Sequence, residues 1–203
     1  MVKVTILDSG PEKNELNQNA NGGTELMQNE LYKRLDKDLL DNFQIICSRV
    51  RKIKDKQRIL WCHDLADDGE VAHLKDEGWK NFDKLVFVSN WQFQDYINKL
   101  DIPWSSGVVL QNAITPIPEH EKPDDEINLV YFSTPHRGLE ILVPVFEQMH
   151  NEHFKTLDKP VNLHVYSSFE LYGWKERDEQ YKEVLQKCRE HSNIFYHGSV
   201  PND

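Results

Sequence analysis

Cysteine is scarce in this 203-residue chain. There are only three, Cys47, Cys62 and Cys188. An odd, widely spaced set with no Cys-x-x-Cys argues against a disulfide framework and against a cysteine-based zinc site. Cys47 and Cys62 lie in apolar, strand-like runs, so buried free thiols in a reducing, cytoplasmic compartment are expected. Long apolar runs are missing too. No stretch approaches the roughly 20 residues that span a bilayer, so no transmembrane segment is expected. The N-terminal Met1-Val2-Lys3-Val4-Thr5-Ile6-Leu7-Asp8 has the pattern of a strand and not of a signal peptide. Positive charge is in short supply: 24 Lys and Arg face 34 Asp and Glu, for a formal net charge of -10. That balance argues against a protein whose main task is to grip nucleic acid. The one basic run, Arg49 to Arg58, has no interleaved aromatic residues and reads as a solvated loop leading into a strand. There is no Walker loop, no Gly-x-Gly-x-x-Gly and no Gly-x-Ser-x-Gly elbow. The acidic residues after His63 match no metal-ligand spacing, so no metal is expected.

What the sequence does contain is alternation. Strand-like runs at residues 2–7, 43–47, 58–62, 84–88 and 107–110 are separated by loops or by single helical segments. One helix opens at Gly22-Gly23-Thr24-Glu25, the periodicity predicts another over 71–82, and a third starts at Ser89-Asn90 with one of the two as N-cap. Residues 11–21 read as a polar loop. Residues 115–126 then hold three prolines and many charges, the pattern of a linker. Beyond it, strands at 127–132, 161–166 and 193–197 alternate with helices at 138–150 and 178–191. Strands joined through single helices imply βαβ units and parallel sheets. The expected fold is therefore α/β: two doubly wound, parallel-sheet, Rossmann-like domains. The first spans 1–115, the linker 116–126 and the second, incomplete, 127–203, with a cleft expected between the two.

Polar groups recur at the carboxyl ends of the expected strands, where open α/β sheets bind ligands. They are Gly22-Gly23, His63-Asp64, Ser89-Asn90, Gln111-Asn112, Ser133 to Arg137, and Ser167-Ser168. The stretch Val130-Tyr131-Phe132-Ser133-Thr134-Pro135-His136-Arg137-Gly138-Leu139 reads as a strand, a small-residue turn and a helix. First-turn amides and the helix dipole make an anion seat, and Arg137, placed in that first turn, adds a planar fork of donors suited to phosphate. His136 shares the same helix start. A surface arginine on an ordinary strand–helix turn is the plain alternative. Gly22 and Gly23 let backbone amides approach a phosphate or sugar, or simply make a flexible turn with Thr24 as the cap. His63 can orient a hydroxyl or move a proton, while Asp64, next to it on an extended segment, points the other way and forms no dyad with it. His197 and Gly198 end the last strand, where Gly198 allows close approach of a ligand or makes a turn.

Taken in order, these landmarks resemble the GT-B nucleotide-sugar glycosyltransferases, in particular the retaining family four. The matching segments are Gly22-Gly23-Thr24-Glu25, Leu60-Trp61-Cys62-His63-Asp64, Val86-Phe87-Val88-Ser89-Asn90-Trp91, Asn112-Ala113-Ile114, Ser133-Thr134-Pro135-His136-Arg137-Gly138-Leu139 and Phe195-Tyr196-His197-Gly198. The resemblance implies that the first domain takes the acceptor and the second the sugar nucleotide. Arg137 would contact the diphosphate, with Ser133 and Thr134 beside it in the donor seat, His63 would lie near the transferred sugar, and Gly22 and Gly23 would approach the donor. The partners it implies are a nucleotide sugar as donor substrate and a glycan, lipid or protein acceptor; no cofactor is needed. Two departures stand out. The family shows a second basic residue just after the first strand of its donor domain, where this chain has Ser133 and Thr134. The family's donor domain also continues past the His-Gly strand, so a truncated enzyme is expected, with an exposed sheet edge through which a homo-oligomer or other assembly could form.

Overall fold

The computed structural model describes residues 22–50 and 52–200. The strand expected at 2–7 and the loop expected at 11–21 lie outside the described residues. The chain divides into two compact units, one of which contains Gly22–Thr115 and the other the residues from Pro116 onward.

The first unit runs α1 (Gly23–Arg34), α2 (Lys37–Asn42), β1 (Phe43–Cys47), β2 (Gln57–Cys62), β3 (Lys84–Phe87), α3 (Asn90–Leu100) and β4 (Gly107–Val109). The strands are parallel and lie in the order β1-β2-β3-β4. The register sets Cys47 beside Trp61 and Cys62 beside Phe87. Side chains alternate between the two faces. Ile46, Leu60, Cys62, Leu85 and Phe87 turn to one face and build a core with Phe93, Tyr96 and Leu100 of α3. Those three positions recur at helical spacing, which gives α3 its apolar stripe. The Phe87 and Phe93 rings stack 4.4 Å apart, and Tyr96 meets Phe87 edge-on. Of the two N-cap candidates, Ser89 caps α3: its hydroxyl accepts from the Gln92 amide at 3.1 Å.

The helix expected over 71–82 is not there. Two short 3-10 stretches, Gly69–Leu74 and Gly78–Asn81, replace it, and Asp76 and Glu77 between them have positive φ. The physical reason is at Gly78, where a Cβ would lie 1.8 Å from the carbonyl oxygen of His73. The chain turns back on itself there, which a continuous helix cannot do. Val71, Leu74, Trp79 and Phe82 still reach the core, so their spacing reflects burial and not helix. The basic run after β1 is tied down at two points. Buried Gln44 donates to the Lys52 carbonyl (2.7 Å) and accepts from the Lys54 amide (2.8 Å). Helix α2, six residues with none buried, carries no apolar stripe that could have announced it.

The second unit runs β5 (Ile127–Phe132), α4 (Leu139–Glu152), β6 (Val161–Tyr166), α5 (Lys182–Glu190) and β7 (Ile194–Tyr196). The three strands are parallel in sequential order. With right-handed crossovers that order places both helices on one face. Leu139, Val143 and Phe146 of α4 and Val184, Leu185 and Cys188 of α5 pack there on Leu163 and Val165. The opposite face carries Val130, Phe132, His164, Tyr166 and Phe195, and Phe132 is 79% exposed. Helix α5 starts at Lys182 and not at 178. A 3-10 stretch, Lys175–Tyr181, precedes it. The carboxylate of Asp178 explains the change, since it accepts from the Ser168 hydroxyl (2.5 Å) and the Phe169 amide (2.8 Å) and holds that stretch against the end of β6. Among the described residues no helix is long and apolar enough to cross a membrane.

Candidate functional site

In the first unit the polar groups gather at the carboxyl ends of β1 and β2. Gly22, and not Thr24, is the N-cap of α1, in extended backbone and with no side-chain cap. The first amides of a helix have no partner within it. A Cβ at Gly23 would meet nothing within 4 Å, so packing does not require glycine there. The charge of Glu25, in the first turn of α1, reaches Cys47 and adds to the burial that pushes this thiol up to about 12. Cys47 in turn pairs with Trp61, whose ring lies 4.8 Å from that of His63.

His63 follows β2 directly. Both its ring nitrogens are shielded from solvent and lack a partner of hydrogen-bonding geometry. Burial lowers its pKa, opposed in smaller measure by the Trp61 backbone and the charge of Asp64. The imidazole is thus held neutral at physiological pH. His63 and Asp64 form no dyad, as expected. The Asp64 carbonyl accepts from Gln92 Nε2 (2.9 Å) and from the Tyr96 hydroxyl (3.0 Å), while one carboxylate oxygen is buried without a partner.

One residue here could not be singled out from the sequence. Ser48 has φ +60°, and the Arg49 amide folds back onto the Cys47 carbonyl at 2.8 Å. This is the strained form of the γ-turn. The Ser48 hydroxyl and the Trp61 indole N–H are both buried and unpaired. Only the backbone conformation exposes Ser48 as unusual, because a serine after a strand is ordinary in sequence. Asn112 is not brought to this group. It lies in exposed, irregular chain beyond β4.

In the second unit the turn after β5 differs from expectation in one respect. Arg137 is not in the first turn of α4. Pro135–Arg137 form a 3-10 turn, closed by the Arg137 amide on the Thr134 carbonyl at 3.1 Å, and Gly138 then caps α4 with φ +98°. Proline fixes φ at the first position and only glycine takes the left-handed one without cost, so the turn closes before the helix begins. Ser133 is half-buried and Thr134 buried. The Thr134 carbonyl also accepts from the Tyr131 hydroxyl at 2.9 Å. The Arg137 side chain is exposed, and among the described residues its guanidinium makes no hydrogen bond or ion pair.

His136 stacks on Phe169, centroids 5.4 Å apart and planes 14° from parallel. Its pKa is lowered by burial and by the charges of Arg137 and Arg177. The guanidinium of Arg177 lies 4.6 Å from the Phe169 ring centre and 5.4 Å from that of Trp174. Arg177, in the middle of a charged stretch, gave no signal in the sequence. The Ser167 hydroxyl at the end of β6 is buried and unpaired. His197 belongs elsewhere: its Nε2 lies 3.0 Å from His164 Nδ1 and its ring stacks on Tyr166 at 4.3 Å, on the sheet face opposite the helices. Gly198 has φ +69°, and a Cβ there would meet nothing closer than 3.9 Å, so the turn is what calls for glycine.

No family model and no curated protein matches the chain. Similar solved structures include glycosyltransferases. A variant of TarM from S. aureus, crystallised with fondaparinux, alpha-GlcNAc-glycerol and UDP, is 16% identical with a TM-score of 0.48, over 72% of this chain and 29% of that one. A second TarM structure is 17% identical with a TM-score of 0.48, over 88% and 36%. A glycosyltransferase from Rickettsia africae is 15% identical with a TM-score of 0.48, over 92% and 54%. The chain thus spans 29 to 54% of the length of these three proteins.

Proposed function

We propose that this chain is a glycosyltransferase of the GT-B type, or a piece of one, which moves a sugar from a nucleotide diphosphate to an acceptor with retention at the anomeric carbon. The observation that carries the reading is the turn between β5 and α4. An unpaired guanidinium, Arg137, stands there next to a glycine-capped helix start. As the bond from the anomeric carbon to the donor oxygen breaks, its electron pair stays on the departing diphosphate. A guanidinium and helix-start amides stabilise that charge without a metal. His63, kept neutral by burial, supplies one donor and one acceptor and suits a sugar or acceptor hydroxyl. The ordered landmarks of the sequence support the same reading. Calorimetric titration with UDP and GDP tests it. Arg137→Ala should weaken binding by about 1.5–3 kcal/mol, the scale of a hydrogen bond to a charged group. Equal affinity in the variant would remove Arg137 from this role.

The apolar face of Val130, Phe132 and Phe195 favours a second reading, a non-catalytic α/β module that assembles through that face. Light scattering separates the two: a stable dimer that binds neither nucleotide would support the module.

A further inference from the structure

We infer that Arg177 is the second guanidinium of this diphosphate seat and takes over the part of the basic residue that the resemblance places at Ser133 or Thr134. The inference rests on the diphosphate reading above. Ser133 and Thr134 cannot supply a charge, and Thr134 is buried with its carbonyl already bonded twice. The missing charge arrives from another element. The 3-10 stretch Lys175–Tyr181, which carries Arg177, packs against the turn Pro135–Arg137. Phe169 joins the two, with the His136 ring stacked on it and the Arg177 guanidinium over it. A guanidinium resting over an aromatic ring can still offer its N–H donors to a planar or bidentate anion.

Charge bookkeeping points the same way. The chain has ten more carboxylates than basic side chains, yet among the described residues neither Arg137 nor Arg177 is in an ion pair. Asp178, the neighbour of Arg177, spends both carboxylate oxygens on Ser168 and Phe169. Both arginine charges, after burial, lower the pKa of His136. Two unpaired cations close enough to act on one imidazole make the local potential positive, which favours an anion there.

The test is titration of the full chain with inorganic pyrophosphate and with UDP. Arg177→Met keeps an unbranched chain against Phe169 and Trp174 and removes the charge. Arg177→Lys keeps the charge and loses the fork. Near-UV circular dichroism and the thermal midpoint check that each variant is folded. Arg177→Met should weaken both probes at least about tenfold, and Arg177→Lys should fall between it and wild type. If Arg137→Ala weakens binding while folded Arg177→Met stays within twofold of wild type, the inference is wrong and the diphosphate reading stands. A wild-type chain that binds neither probe overturns both.

Discussion

Gln92 holds both chain neighbours of His63, and replacing it offers a sharp test. It is 4% exposed, at the start of α3. Its Oε1 accepts from the Val88 amide at 2.9 Å, and its Nε2 donates to the carbonyls of Cys62 (3.2 Å) and Asp64 (2.9 Å). One amide therefore clamps both neighbours of His63 to the end of β3. In Gln92→Ala the Val88 N–H and the Cys62 carbonyl lose this partner, whereas the Asp64 carbonyl keeps the Tyr96 hydroxyl. Each stranded buried group costs about 1–3 kcal/mol, and the small cavity adds to that. The expected loss is about 3–5 kcal/mol, a large part of the roughly 5–15 kcal/mol that holds a typical domain folded. Urea unfolding followed by tryptophan fluorescence reads it, because four of the five tryptophans, Trp61, Trp79, Trp91 and Trp104, lie in the first unit. Gln92→Glu sharpens the test. Its carboxylate would face two carbonyl oxygens, which raises its folded pKa above the unfolded value of about 4.3. A raised carboxyl pKa means stability lost as pH rises through the folded value and recovered as pH falls toward the unfolded one. Gln92→Glu should therefore gain stability relative to wild type between pH 8 and pH 5. A loss under about 1 kcal/mol for Gln92→Ala, or parallel pH profiles for Gln92→Glu and wild type, would refute the clamp.

Three further outcomes follow from the same structure. The folded pKa of His63 is depressed by burial, so its contribution to stability is present above the unfolded value of about 6.5 and is lost as pH falls through the folded one; proton NMR should show its ring titrating below pH 6.5, and a midpoint at or above that value contradicts the burial argument. Gly78→Ala drives a methyl into the His73 carbonyl and should cost about 3 kcal/mol by thermal unfolding, the upper end of the usual overpacking range, while Gly69→Ala, where a Cβ meets nothing within 4 Å, should change stability little. Burial raises all three thiols, Cys47 to about 12 and Cys188 to about 11, with Cys62 higher still; Ellman's reagent at pH 8 should find them inert in native protein and reactive in urea, and prompt reaction of the native chain would be the contrary result.

Among the described residues the strands were legible because their apolar runs are short and bounded by polar or turn-forming residues. Ser89 and the 84–87 strand follow directly from residue type. The failures have specific causes. Residues 71–82 carry an apolar period near 3.6, yet they bury those side chains from two 3-10 stretches because a carbonyl occupies the space a helix would need at Gly78. The expected helix at 178 gave way to a carboxylate bonded to a distant turn, a tertiary contact with no local signature. Gly22, His63 and Arg137 could be singled out by type and position alone. Ser48 and Arg177 could not, since one is marked only by backbone strain and the other only by the rings it rests on.

The Gln44 clamp changes what the basic run after β1 is. Trypsin meets there several of the residues it prefers, in a solvent-facing loop, and ordinarily would nick it readily. To be cut, a loop must be drawn out straight across the protease. Here that movement requires an amide seated in the interior to give up two backbone partners at once. The segment therefore behaves as a strut, and its resistance to digestion is set by the hold of one glutamine more than by its own composition.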